Sequence, residues 1–445
     1  MPNLMNVYLK GLPGKNKNLK MVIERQNKDG FITSNEAAEA IAEFFAQNDY
    51  CGKRLLLIIP DNTRSGPVDE IFHIIYDCLS QRAKAIDCLV ALGTHQPMTE
   101  KQICTRLGIK PDERNNKYAS VKLINHQWGK KETFISIGKI SADEIEQISN
   151  GLFCEEVDVA INKVIFDYDE FFIAGPVFPH EVVGFSGGHK YIFPGIAGAE
   201  IINFFHWLGA VITNPVINGN KWTPTRRLVE KAASLIKVPH NLFAIVSVEN
   251  KLKGLFIGDC REAWEKAVEL SEKVHIVYKD KPYKTVLGIA PKMYGDIWTA
   301  GKVMYKLEPI VADGGTLIIY APNISEISHT HGKIIDKIGY HTRDYFLKQM
   351  DKFADIPRAV MAHSTHVKGI GTYIDGIERP RINVALATGI SRERCRKVNL
   401  GYINPGQMDI ANYENKQERG ILVVHNAGEI LHRLSSGEIP TISDK

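Results

Sequence analysis

Residues 53–95, KRLLLIIPDNTRSGPVDEIFHIIYDCLSQRAKAIDCLVALGTH, decide how this chain is built. KRLLLIIP (53–60) and KAIDCLVALG (84–93) are short apolar runs, fit for strands buried on both faces. Between them, PVDEIFHIIYDCLSQR places apolar residues three and four apart, the period of a helix with one buried side. Strand, helix and strand in so short a span point to parallel strands joined by a helical crossover.

The same texture runs outward in both directions. TEKQICTRLG has helical spacing, and EFFIAGPV (170–177) is another candidate buried strand. Near position 280 the pattern resets, where KVHIVYKDKPYKTVLGIAPKMYG crosses a polar Lys/Asp/Pro stretch before a new strand at 284–290. GTLIIYAP (315–322), RAVMAHST (358–365), INVALATG (382–389) and ILVVHNAG (421–428) then read as strands, with helix-like segments between most of them. The expected fold is therefore α/β: two α/β domains with largely parallel sheets, residues 1–278 and 279–445, and a site in the cleft between them. A length of 445 residues fits two domains better than one compact core.

Composition narrows the class. Hydrophobic residues at 44% and charged residues at 24% belong to a soluble globular protein. With 55 basic against 51 acidic side chains, the charge is nearly balanced, and no Lys/Arg run is long enough for a nucleic-acid stripe. KGLPGKNKNLK near the N-terminus reads as a solvated hairpin or strand edge. The seven cysteines are scattered and contain no Cys-x-x-Cys pair, which argues for free thiols rather than disulfides or a thiolate zinc site. No apolar segment approaches the length of a membrane span and MPNLMNVYLK is not a secretion signal, so the expected location is the cytoplasm.

In open α/β sheets ligands sit beyond the carboxyl ends of the strands. Three first-half strands end in polar groups: LLLIIP in Asp61-Asn62-Thr63-Arg64, LVALG in Thr94-His95, and FFIAGPVFP in His180. One such histidine is ordinarily a loop residue; three strand ends offering Asp/Arg, His and His together are harder to dismiss. Arg64 can hold a carboxylate or phosphate through its fork. Two neutral imidazoles can act as paired acid and base near neutral pH, which suits a reaction on both faces of one carbon.

The third strand end opens into HEVVGFSGGHKYIFPGIAGAEIINFFH (180–206), which carries His180, Lys190 and His206 in an apolar setting. A lysine crowded by Phe185, Tyr191, Ile192 and Phe193 is paired, bound to an anion, or chemically used. The glycines are not a phosphate loop, because His189-Lys190-Tyr191 stands where Gly-Lys-Ser/Thr is required. A Gly-x-Gly-x-x-Gly dinucleotide fingerprint is missing as well. The helix expected after Pro194-Gly195 carries Glu200, Asn203 and His206 at three-residue steps, a polar line in an apolar segment. In the second half, Asp296 reads as a helix N-cap, with Thr299 and Lys302 one step apart on the same side. The pairs His329/His331 and His363/His366 lack an acidic partner at metal-site spacing and read as loop or strand-end residues.

Taken together, Asp61-x-Thr63-Arg64, Gly93-Thr94-His95, His180, Gly-Phe-Ser-Gly-Gly-x-Lys190-x-x-x-Pro-Gly, His206 and Lys302 resemble the nickel-pincer nucleotide-dependent lactate racemase family. The likeness spans nearly the whole chain and extends to CRKVNLGYINP (395–405). It implies two α/β domains with the site between them. It also implies a cofactor, pyridinium-3,5-bisthiocarboxylic acid mononucleotide, whose two sulfurs and ring carbon clasp nickel. Under the resemblance Lys190 tethers the cofactor through a thioamide and His206 is the fourth nickel ligand. His95 and His180 fall on the acid/base positions, and Asp61, Thr63, Arg64, Thr299 and Lys302 line cofactor and substrate.

Those roles are chemically consistent. The C2 hydrogen of a hydroxy acid is a poor acid, and hydride transfer to a cofactor avoids the carbanion by way of a 2-keto acid. One histidine takes the hydroxyl proton, and the other returns it after hydride adds to the opposite face. Soft sulfur and imidazole donors suit square-planar nickel. The chain departs from the family where a glutamine is expected three residues before the site lysine, since it has Thr299 preceded by Trp298. A shorter side chain there points to a 2-hydroxy acid larger than lactate, a sugar acid such as an aldonate being one case. The expected activity is thus a racemase or epimerase, an isomerase with a small-molecule 2-hydroxy acid as partner and neither nucleic acid nor membrane. A non-catalytic cofactor-binding or sensor protein on the same scaffold is the alternative, and the presence of both His95 and His180 speaks against it.

Overall fold

A computed structural model describes residues 21–441; the expected hairpin at KGLPGKNKNLK lies outside them. Two main sheets organise the chain. The first has seven strands in the order Ile23–Gln26, Lys251–Gly258, His240–Val248, Glu170–Pro176, Arg54–Pro60, Ala85–Ala91 and Leu123–Asn125. Its last five strands are parallel, and Lys251–Gly258 alone runs opposite, paired antiparallel with both His240–Val248 and the edge strand Ile23–Gln26.

Burial on both faces explains the apolar runs. Leu56 and Ile58 face one core with Phe171 and Ile173, packed beneath helices Ala199–Ile212, Pro224–Ala233 and Cys260–His275. Leu55, Leu57 and Ile59 face the other, packed beneath Ser34–Ala46 and Val68–Leu79. Successive side chains of a strand point to opposite faces, so a strand covered by helices on both sides must be apolar at every position.

The second sheet is all parallel, in the order Gly401–Tyr402, Asn383–Thr388, Val311–Ala321, Tyr283–Ile289 and Ile421–Val424. The chain passes to it through Ile276–Lys279, which the returning C-terminal strand Leu431–Leu434 pairs in parallel. Helix Ala199–Ile212 serves both cores: Ile201, Phe205 and Leu208 belong to the first, and Trp207, Ala210 and Val211 to the second. That double packing is why its sequence is apolar nearly all round.

One expected strand is a helix. RAVMAHST lies in the helix Arg358–Lys368, which starts after Pro357 and stops at Gly369, where φ is +86°. Every residue from Val360 to Lys368 is buried, so the alternation of buried and exposed positions that marks a surface helix is absent, and a short apolar run is ambiguous without it. No helix among the described residues is long and apolar enough to cross a membrane.

Candidate functional site

The carboxyl ends of the two sheets face each other. Lys302 Nζ donates to the Thr63 carbonyl at 2.9 Å, Ser65 Oγ to Glu429 at 2.7 Å, and Gln96 Nε2 to Thr330 Oγ1 at 2.7 Å. Between them lies a cleft of about 930 Å³. Asp61, Arg64, His95, His180, Lys190, His206, Thr299 and Lys302 all line it. Thr63 opens instead into an adjoining recess, and it acts from behind by holding Asp61 and Lys302.

The turn after Arg54–Pro60 folds back on itself. Asp61 Oδ1 accepts from the Thr63 amide at 3.0 Å and the Thr63 hydroxyl at 2.7 Å, and Oδ2 accepts from His95 Nδ1 at 2.5 Å. Burial alone would raise the Asp61 carboxyl; His95 and Thr63, with Lys302 nearby, outweigh it and hold the group well below the usual carboxylate range. With Nδ1–H given to Asp61, His95 presents the lone pair of Nε2.

His180 is in the opposite tautomer. The Val182 amide donates to its Nδ1 at 3.1 Å, so a neutral ring carries its proton on Nε2, which lies 3.5 Å from Arg64 Nη2. Burial, with Lys190 and Arg64 beside it, keeps the ring well below the ordinary histidine value. The Arg64 guanidinium rests over Phe178 at 5.2 Å. Among the described residues no carboxylate forms an ion pair with it, which leaves its fork for an anion.

The Lys190 segment is held from behind. Gly184 and Gly187 adopt positive φ, and a Cβ on them would stand 1.8 Å from the Asn220 carbonyl and 2.4 Å from Val177. Arg226, fully buried against Trp264, donates to the Phe185 and Gly187 carbonyls, and Trp264 Nε1 donates to the Ser186 carbonyl at 2.9 Å. His189 Nδ1 meets Glu230 at 2.7 Å and its Nε2 meets His240 Nε2 at 3.0 Å. His240 Nδ1 donates to the Val238 carbonyl, so its Nε2 accepts, and His189 must donate from both nitrogens as an imidazolium. Burial opposes that charge, and Cys260 and Glu230 beside the ring outweigh it.

Burial, reinforced by Arg64, drives the Lys190 amine well below the ordinary lysine value, towards the neutral nucleophilic form. On helix Ala199–Ile212, His206 Nδ1 donates to the Ile202 carbonyl at 2.7 Å, which leaves Nε2 unprotonated and free to bind a metal. Burial pushes the ring down to about 4, against the opposing pull of that hydrogen bond. The other two polar residues of this helix do not join it: Glu200 caps the Asp158 amide and Asn203 the Ala359 amide.

From the second sheet, Asp296 caps its helix as expected, taking both the amide and the hydroxyl of Thr299, at 3.0 and 2.9 Å. The Thr299 hydroxyl proton is therefore committed, and its oxygen can only accept further. Gly301 divides the helix, and Lys302 begins the next segment with its ammonium pushed down to about 8 by burial and Arg64.

Several wall residues escaped the sequence reading. His363 and His366 are buried helix residues lining the cleft, not loop or strand ends; with them stand Glu181 and Tyr305, beside the Trp298 already marked as preceding Thr299. The ring of Trp298 stacks on His363 with centroids 4.0 Å apart. The i, i+3 spacing of His363 and His366 was the available signal, lost once the segment was read as a strand.

Residues 38–217 match the model of the lactate racemase N-terminal domain. The chain is 27% identical over 282 residues to the lactate racemase of Lactiplantibacillus plantarum and 26% identical over 291 residues to that of Thermoanaerobacterium thermosaccharolyticum. These matches cover 61% and 63% of this chain, and 60% and 61% of those proteins, so it spans about three fifths of the length of these curated relatives. A crystal structure of a Thermotoga maritima protein superposes with a TM-score of 0.84 at 30% identity, covering 91% of this chain and 99% of that one. The lactate racemase apoprotein of T. thermosaccharolyticum shares the fold, with a TM-score of 0.64 at 20% identity over 89% of this chain and 93% of that one. Residues 38–217, with four of the seven strands of the first sheet, thus match a lactate racemase N-terminal domain, and the chain shares the fold of the lactate racemase apoprotein over 89% of its length.

Proposed function

We propose that the protein inverts C2 of a 2-hydroxy acid by reversible hydride transfer, as a racemase or epimerase. One observation carries this: two histidines on one cleft are locked in complementary tautomers, His95 with a basic Nε2 and His180 with an Nε2–H. Arg64 takes the substrate carboxylate. His95 Nε2 removes the hydroxyl proton, and the Asp61 carboxylate stabilises the imidazolium that forms. His180 Nε2–H protonates the oxygen when the keto acid is reduced on its other face. One turnover leaves His95 as imidazolium and His180 without its Nε2 proton, the state from which the opposite direction starts with roles exchanged, and a proton passed from His95 to His180 through solvent restores the resting pair.

The residues present fit the nickel-pincer nucleotide. Lys190 offers an amine held towards its neutral form for thioamide attachment, and His206 a single imidazole nitrogen for nickel. Among the described residues no group of three His, Cys, Asp or Glu side chains could hold a metal alone, which suits a metal that brings ligands of its own. When bound, the group supplies the acceptor for the C2 hydride. In the same reading residues 1–278 form the cofactor-binding domain and 279–445 the second domain, and Thr299 makes room for an acid larger than lactate. The seven free cysteines support a reducing, cytoplasmic setting.

Intact mass and nickel content, on protein made in cells that produce the pincer, test the proposal. It expects an adduct lost in Lys190→Ala and about one nickel per chain. Neither adduct nor nickel, where a known racemase is loaded, removes the mechanism.

A further inference from the structure

Most polar groups on the cleft wall are already committed. Thr299 Oγ1 goes to Asp296, Tyr305 Oη pairs with His363 Nδ1 at 3.0 Å, Lys302 donates to Thr63, and Asp61 accepts from His95 and Thr63. Beyond Arg64 and the groups of the proposed mechanism, Glu181 and His366 stand out among those that are not. The Glu181 carboxylate, 18% exposed into the cleft, has His180 Nδ1 at 3.4 Å, but that nitrogen accepts from the Val182 amide and has no proton to give. Among the described residues no side chain donates a hydrogen bond to it. Burial would neutralise it; Lys306, His366, its own backbone amide and Arg64 keep it ionised instead. His366 is 4% exposed, and its Nε2 has no hydrogen-bond partner.

A largely buried carboxylate met by its own backbone amide but by no side-chain donor, and a buried imidazole nitrogen without a partner, are both incompletely satisfied, and both lie on the same cleft. We infer that Glu181 and His366 form a hydroxyl-recognising subsite that selects 2-hydroxy acids bearing a further hydroxyl at C3 or beyond. This deepens the racemase proposal and rests on it for the position of the substrate carboxylate at Arg64. A hydroxyl can donate to Glu181 and exchange a hydrogen bond with His366. A methyl tail satisfies neither, and a second carboxylate is repelled by Glu181. Thr299 Oγ1, its proton given to Asp296, can only accept on that wall.

The test uses cofactor-loaded protein and four acids: lactate, glycerate, 2,3,4-trihydroxybutanoate and malate. C2 inversion is followed by chiral chromatography, and Kd by calorimetry. The hydroxylated acids are expected to exceed lactate and malate by at least about tenfold in kcat/KM, because a site built to bond a hydroxyl discriminates against analogues lacking it. Glu181→Gln and His366→Leu are each expected to shrink that ratio about tenfold. Equal handling of lactate and the hydroxylated acids, or an unchanged ratio in both variants, overturns the subsite while inversion itself upholds the racemase reading. Preference in Kd without inversion of any acid upholds the subsite and overturns the racemase reading. Should Glu181→Gln not fold, the wild-type series and His366→Leu decide.

Discussion

His95 and Asp61 are joined by one hydrogen bond of 2.5 Å, from Nδ1 to Oδ2, and it fixes which ring nitrogen meets the cleft. Asp61 is held in turn by Thr63, so the orientation of the base is set by a turn that closes directly after a central strand. Asp61→Asn keeps the shape but lets the ring adopt the other tautomer. The expected result is a fall in kcat for C2 inversion of about 10²–10⁴ with KM little changed. A rise in KM at unchanged kcat would place Asp61 in substrate binding instead.

His206 and Lys190 are separable. His206→Ala removes the free Nε2 but leaves the amine, so the mass adduct at Lys190 is expected to remain while nickel falls well below one per chain. Metal analysis beside intact mass reads both, and nickel retained at the wild-type level would show that His206 is not a ligand.

The clamp behind Lys190 carries a buried charge network. Arg226→Met strips a cation with no exposed surface from Glu230 and from the Phe185 and Gly187 carbonyls. Breaking a buried pair from one side costs about 3–5 kcal/mol. Arg25→Met, which removes a surface pair with Glu43, is expected to change stability by about 1 kcal/mol or less. Urea unfolding of the two variants gives the comparison.

Acid should destabilise the protein through buried neutral histidines. Burial pushes His126 and His432 down to about 4. Below pH 6.5 the unfolded chain takes up protons that these folded rings refuse. Their contribution is full above pH 6.5 and falls as the pH drops towards 4, by up to about 1.4 kcal/mol per pH unit for each ring. His189 runs the other way, since its raised value stabilises below pH 6.5 and that stability is lost as pH rises through its folded value. The difference between wild type and His126→Leu, measured from pH 7 to 4, isolates one ring; a difference that does not change with pH contradicts the assignment.

The sequence alone determined the local elements and much of the site. Buried strands such as Arg54–Pro60 and Ala85–Ala91 were legible to within a residue or two, because a strand covered on both faces must be a short apolar run. Asp61, Arg64, His95 and His180 stood out because they directly follow such strands. Helix Arg358–Lys368 was not legible, and with it went His363 and His366, since burial on every side erases the period from which a helix is recognised. Only the tertiary structure decided which way each ring is protonated, that Thr299 gives its hydroxyl proton to Asp296, and that no side chain donates to Glu181. Lys302 reaches Thr63 across 239 residues of chain, and His189 reaches His240 across 51. Periodicity and capping act between neighbours a few residues apart; a tautomer or an unmet hydrogen bond depends on whatever distant segment folds against it.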